Sequence, residues 1–375
     1  MKKFLSLRSH LTYPILLILA LACTKDPVTP EDTETLIRNA VDAGDIPSVA
    51  ACIIKNDQIV WNYSYGFADI NQGTRASEET IYTLASISKV VTATAVMQLF
   101  EQDEIDLDED INQYLSFPVR NPHYPDEKIT PRMLLTHRSG LAWPNDEDPD
   151  FYETYPNDSA SPLFPWIKEY IVPGGSEYVS RIWKLIPPGA YELYSNIGAS
   201  LLGHLVEAVS GEDFNEYCKS HIFQPLDMFD TSFKLADLDI NKVALPYNNE
   251  GRTYNHYSVK FYPSTTLRTS TNDFSHFLLA FINGGVYNGN RILRESSVDE
   301  MLRQHYPDSQ FGLIWFSFSD GWYGHGGGFR GIRTEADFNR EEKIGFFVFS
   351  NGEDGSVNRG GLIYNLLKAE VDTYR

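Results

Sequence analysis

What most constrains this chain is the placement of its strand patterns, which lie at the two ends with helical patterns between them. Ser48 to Ile54 is small or apolar, Asn56-Asp57 supplies a turn, and Ile59 to Tyr65 alternates again, which predicts a β-hairpin. Far downstream, Ile332 to Phe338 and Ile344 to Ser350 predict a second hairpin around Asn339-Arg340-Glu341, followed by a helical pattern from Gly361 to Val371. Ile87 to Glu101, Pro131 to Thr136, Ile197 to Val209 and Phe214 to Ile222 carry helical apolar spacing in between. Hairpins at both ends are able to share one antiparallel sheet, interrupted by a helical region. A chain of 375 residues, 42% hydrophobic and 22% charged, has the material for a large core, and no repeat or low-complexity segment points to a solenoid.

The extreme N-terminus reads differently. Lys2, Lys3 and Arg8 precede an apolar run from Pro14 to Ala22 and then Cys23, the layout of a bacterial export signal. That run is shorter than the roughly 20 apolar residues a membrane-spanning helix needs. Leu19-Ala20-Leu21-Ala22-Cys23 is similar to a lipobox, so residues 1–22 are expected to be a signal peptide and Cys23 the lipidation site. Residues 23–32, polar and proline-bearing, are the expected lipid-anchored linker, and 33–375 the functional domain, with a helical subdomain at approximately 105–255. The expected location is the bacterial cell envelope, with the membrane reached through the anchor. Net charge of -20 repels phosphate backbones, so nucleic acid is not an expected partner. Cys52 lies in a strand pattern and Cys218 in a helical one; both are expected to be buried, unpaired thiols, and no ligand spacing supports a metal site.

Ser86 is the only serine in the sequence with a lysine three positions later, Lys89. This spacing puts both on one helix face, one turn apart. A serine hydroxyl is a weak nucleophile until a neighbour takes its proton, and a lysine does so if burial lowers its pKa. The apolar flanks Ile87, Val90 and Val91 would provide that burial. Taken alone, the pair reads first as an N-cap serine and a solvated lysine. Two further elements add to it: Tyr194-Ser195-Asn196 directly before the helix at Ile197, and His325-Gly326-Gly327-Gly328, where glycines let a backbone approach a ligand closely. Tyr155-Pro156-Asn157 and Tyr247-Asn248-Asn249 share the Tyr-x-Asn pattern, but the first contains a proline in a polar loop and the second has no helix behind it. The aromatic residues Trp143, Tyr152, Tyr155, Phe164, Trp166 and Trp183 either wall a pocket or pack the loops that carry them.

These three elements, in this order, resemble the signatures of serine β-lactamases, penicillin-binding proteins and related esterases. Ile129 to Leu141, with Leu134-Leu135-Thr136-His137-Arg138-Ser139-Gly140-Leu141, and Pro225-Leu226-Asp227-Met228 also resemble family segments, so the likeness runs from roughly Glu34 to Leu367. It implies an α/β fold of the α+β type: an antiparallel sheet from both chain ends flanked by helices, with a mostly helical insert. The same resemblance implies Ser86 as nucleophile and Lys89 and Tyr194 as proton-transfer groups. Asn196, His325, Gly326 and Gly327 would be substrate-binding, and the Ser86 and Gly328 amides the oxyanion hole. No cofactor is implied, and the expected partner is a small-molecule or peptide substrate, compatible with a cell-wall origin. Many relatives carry lysine where His325 stands; histidine is a weaker anion anchor, and Arg330 or Arg333 would have to replace the charge. Ester or amide hydrolysis through an acyl-enzyme is therefore expected ahead of efficient β-lactam hydrolysis. The alternative is a non-catalytic module that binds cell-wall fragments; a Ser-His-Asp arrangement using His137 or His204 is a third.

Overall fold

The computed structural model describes residues 32–43, 46–142, 152–158, 160 and 162–375. The expected signal peptide, Cys23 and Trp143 lie outside the described residues. Strands β1 (Ser48–Lys55), β2 (Gln58–Asp69), β3 (Thr74–Arg75), β4 (Phe316–Ser317), β5 (Tyr323–Phe329), β6 (Ile332–Asn339) and β7 (Ile344–Ser350) form a seven-stranded sheet in the order β4-β5-β6-β7-β1-β2-β3. Its named pairings are antiparallel, and the two ends of the chain meet at the centre, where Val49 faces Ser350 and Lys55 faces Ile344. The first hairpin turns at Asn56 and Asp57, both in the left-handed region at φ 48° and 67°, the conformation that tight hairpin turns require. The second hairpin, expected on its own, is part of a three-stranded meander, because the His325-Gly326-Gly327-Gly328 segment is itself strand β5, paired along its length with β6.

Period-two alternation gives the sheet two different faces. Val49, Ala51 and Ile53 pack with helices α1 (Thr33–Ala43) and α5 (Leu362–Asp372), through Ile37, Val41, Ile363 and Leu367. Thr33 Oγ1 donates to Glu370 Oε2 at 2.6 Å, tying α1 to α5. Ala50, Cys52 and Ile54 face the larger core, which holds α2 (Ser88–Glu101), α3 (Asn196–Ser210) and α4 (Thr271–Ile282). Each large aliphatic side chain buried there contributes roughly 1.5–3 kcal/mol. α2 is buried all round from Ser88 to Leu99, and α4, which was not read in the sequence, nearly so. α3 starts where Ser195 Oγ accepts the Gly198 amide at 2.9 Å and stops at Gly211, left-handed at φ 76°. Among the described residues, 105–255 contributes no strand to the main sheet. Cys52 and Cys218 are both buried free thiols.

Candidate active site

Ser86 sits not in the α-helix but in the 3-10 turn Ala85–Ile87 that leads into α2. Ala85 adopts a left-handed φ of 47°, a conformation that costs a residue with a Cβ about 1–2 kcal/mol. The turn is held from several sides. Leu84 N donates to Leu267 O at 2.8 Å, and the Leu84 carbonyl accepts Thr334 Oγ1 at 2.9 Å and Ile87 N at 3.3 Å. Neither Leu84 nor Ile87 caps its helix through a side chain, and the Ser86 hydroxyl is occupied elsewhere, so the N-cap reading of this serine does not hold.

One turn further on, Lys89 is fully buried, as are its chain neighbours Ile87, Val90 and Val91. Its Nζ lies 2.9 Å from Ser86 Oγ and donates to the Ser264 carbonyl, also at 2.9 Å. Desolvation of the ammonium holds its pKa well below the ordinary lysine value. A neutral amine in this position donates to the carbonyl and keeps a lone pair for the serine proton. Half-buried Ser86 remains reachable from solvent while its base does not.

Tyr194 closes the third side. Lys89 Nζ is 4.9 Å from the centre of the Tyr194 ring. Burial raises the phenol pKa, and its hydrogen bond with Ser86 acts in the opposite direction. Asn196, two residues on, is buried with its Oδ1 unpartnered. The other Tyr-x-Asn tyrosines are engaged elsewhere: Tyr155 Oη donates to Glu153 at 2.6 Å, and Tyr247 Oη accepts Ile70 N at 2.9 Å.

Strand β5 supplies the remaining wall. A Cβ on Gly327 would lie 2.3 Å from Leu84 O, 2.2 Å from Thr334 Oγ1 and 3.2 Å from Ser86 N, so only glycine permits this approach to the nucleophile's turn. Phe329 and Ile332 close a two-residue turn and form a hydrogen-bonded pair; alternation then makes Gly328–Arg333 and Gly326–Glu335 non-bonded pairs. The Gly328 amide therefore points away from β6, toward the free edge of β5, and Gly328 is exposed. Gly326 follows the same rule: its carbonyl accepts His325 Nδ1 at 2.7 Å. His325 is buried, and desolvation pushes its pKa down to about 3. It is thus neutral, with Nε2 an unpartnered acceptor, and supplies no charge to a substrate anion.

Alternation also answers for Arg333. Gly328 lies on the same side of the sheet as Arg333, whereas Thr334 and Gly327 face Ser86. The Arg333 guanidinium donates to the carbonyls of Phe329 at 3.1 Å and Ile332 at 2.7 Å. The Arg330 carbonyl accepts the Tyr257 hydroxyl at 2.7 Å. Sequence reasoning missed a different cluster, in which Glu335 and Asp337 lie buried beside Arg359. Glu335 and Arg359 border a cavity of about 310 Å³ shared with Tyr194, His325 and Gly326. Burial and then Asp337 raise the Glu335 pKa to about 7.

Of the loop aromatics, Trp166 and Trp183 pack rather than wall this site, whereas Phe164 is exposed and lines a separate cavity with Leu163, Phe233 and Tyr262. Trp166 and Trp183 are buried, with their indole N–H groups on Glu177 at 3.0 Å and the Ile171 carbonyl at 2.9 Å. The Ser-His-Asp arrangement is not assembled: His204 Nδ1 pairs with Glu207 at 3.0 Å, and His137 Nδ1 accepts the Ser195 amide at 3.2 Å.

Chains with this architecture are known. The fold superimposes on a β-lactamase/D-alanine carboxypeptidase from Pseudomonas syringae with a TM-score of 0.71, covering 90% of this chain and 97% of that one at 18% identity. A class C β-lactamase from Rhodobacter sphaeroides gives 0.71, covering 90% and 99% at 17% identity. In sequence, the chain is 27% identical over 332 residues to the putative penicillin-binding protein PbpX of Bacillus subtilis (strain 168), covering 86% of this chain and 76% of the relative. Protein flp of Staphylococcus aureus (strain MW2) is 26% identical over 257 residues, 68% of this chain; that match spans about half, 49%, of flp. The Beta-lactamase family matches over residues 33–370, and with the antiparallel sheet and its helical insertion in place, this chain belongs to that family of serine hydrolases.

Proposed function

We propose that this chain is a lipid-anchored hydrolase of the bacterial cell envelope that cleaves ester or peptide bonds, including bonds to D-amino acids, through an acyl-enzyme on Ser86. The observation that carries this reading is the 2.9 Å approach of a fully buried Lys89 Nζ to the Ser86 hydroxyl. Ser86 Oγ attacks the substrate carbonyl as its proton passes to Lys89, directly or by way of Tyr194. The negative charge that forms on the carbonyl oxygen is met by the Ser86 and Gly328 amides, each such donor being worth roughly 100- to 1,000-fold in rate. Tyr194 returns a proton to the departing alcohol or amine, and Asn196 orients the substrate's amide or ester. Water then attacks the acyl-enzyme and releases the acid, with the Ser86 oxygen reclaiming its proton. The neutral His325 favours uncharged acyl partners over a substrate held by its carboxylate, so β-lactams are expected to be poor substrates. One fold neighbour, SurE, was solved with D-Leu, and another is called a D-alanine carboxypeptidase, which supports D-residues as the peptide class. Cys23 is the proposed site of the lipid anchor.

Peptide mass spectrometry after incubation with a fluorophosphonate probe tests the mechanism. Labelling confined to Ser86, and lost in Lys89→Ala, is the expected outcome. A folded protein that takes no label would overturn it and leave the binding-module alternative.

A further inference from the structure

We infer that His137 is the positioning residue for Tyr194, acting as a clamp on both sides of it. The observations are independent of one another. The Leu193 amide donates to the His137 carbonyl at 2.6 Å, and the Ser195 amide donates to His137 Nδ1 at 3.2 Å. One residue therefore binds the backbone immediately before and immediately after Tyr194. Its imidazole also lies against the Tyr194 ring, centroids 4.4 Å apart, and Phe311 meets it edge-on at 5.2 Å. His137 itself is buried and holds a left-handed φ of 57°, so its carbonyl and its ring are both directed at the Tyr194 segment.

The chemistry follows from these contacts. Since Nδ1 accepts from Ser195, the ring proton of the neutral imidazole resides on Nε2. His137 has no carboxylate partner among its hydrogen bonds and does not act as a base toward Ser86. It fixes where the Tyr194 hydroxyl stands relative to Ser86 and Lys89. A displacement of about 1 Å at a reacting group costs on the order of 100-fold in rate, so losing the side chain's hold on the Ser195 amide and on the Tyr194 ring is expected to be costly although His137 touches no substrate and its carbonyl still accepts the Leu193 amide.

This inference rests on the proposed proton-transfer role of Tyr194, and a double-mutant cycle separates the two. The readout is the second-order rate constant for fluorophosphonate labelling of Ser86 in the full chain, in detergent, with Tm recorded for each variant. Tyr194→Phe should be slow, and His137→Ala should be slowed by roughly 10- to 100-fold. Combining them should be no slower than Tyr194→Phe alone, because no hydroxyl remains to position. His137→Asn, which tolerates the left-handed backbone and keeps an acceptor near Nδ1, should recover most of the rate. A His137→Ala penalty of equal size in both backgrounds, or none in the wild type, overturns the inference and leaves the role of Tyr194 intact. An unaffected Tyr194→Phe overturns both.

Discussion

Replacing Gly327 with alanine tests the site's most demanding packing contact, and its neighbour Gly328 is the control. The new methyl group would sit 2.3 Å from the Leu84 carbonyl oxygen and 2.2 Å from Thr334 Oγ1; relief to about 3.0 Å requires movements of about 0.7–0.8 Å. Thr334 can rotate, but Leu84 O is backbone, fixed by the bonds to Thr334 and Ile87 and by Leu84 N on Leu267. The strain therefore passes to the turn that carries Ser86, or β5 moves away and takes the Gly328 amide with it. Either movement approaches the 1 Å misplacement that costs on the order of 100-fold, and overpacking of this kind destabilises by about 1–3 kcal/mol. Gly328→Ala differs by one position: its methyl would find nothing nearer than Arg333 at 3.5 Å, an ordinary contact, and its amide stays in place. The assay is the rate of fluorophosphonate labelling, with thermal unfolding run in parallel. Gly327→Ala should label about 100-fold more slowly, and Gly328→Ala at nearly the wild-type rate. Equal effects at the two positions, or wild-type labelling by Gly327→Ala, would refute the assignment of the strand faces.

Three further outcomes are expected. Lys89→Met should lose roughly 100- to 10,000-fold in labelling yet raise Tm at neutral pH. The folded-state pKa of Lys89 lies below its unfolded value, so across the window between them the unfolded chain holds a proton that the folded chain excludes, and methionine removes that penalty; a lower Tm would contradict a desolvation penalty at Lys89. Glu335 has the opposite arithmetic, its folded pKa being raised to about 7 from 4.5, so its destabilising effect grows as pH rises through that window. Glu335→Gln should add up to about 3 kcal/mol at pH 8 and little at pH 4, measured by denaturant unfolding; a gain independent of pH would show that Glu335 does not titrate there. Ser195→Ala removes the acceptor of the Gly198 amide at the start of α3 and should cost about 1 kcal/mol in the same assay, whereas no change would mean the cap is dispensable.

Legibility in the sequence tracked the range of the interaction. The first hairpin was readable because alternation and the Asn56-Asp57 turn are properties of adjacent residues, and both turn residues take the expected left-handed backbone. α5 was readable for the same reason, its apolar spacing closely marking Leu362–Asp372. Strand β5 was not read as a paired strand, since three glycines contradict strand propensity; its place is set by pairing with β6. α1 also went unread, and its buried residues Ile37 and Val41 acquire their meaning only against the α5 side of the sheet.

By itself, then, the sequence determined that Ser86 and Lys89 lie one turn apart, that Tyr194 precedes a helix, and that glycines occupy the third element. Those are consequences of spacing along one stretch of chain. Tertiary structure alone decided that the Lys89 pKa is pushed down, because groups around its amine, the Ser264 carbonyl and the Tyr194 ring among them, come from distant parts of the chain. It also decided which glycine must remain a glycine, which way Arg333 faces, and that His137 grips the segment of Tyr194. Local backbone geometry follows from neighbouring residues, whereas the dielectric, the pKa and the alignment of reacting groups arise only when remote segments exclude water together.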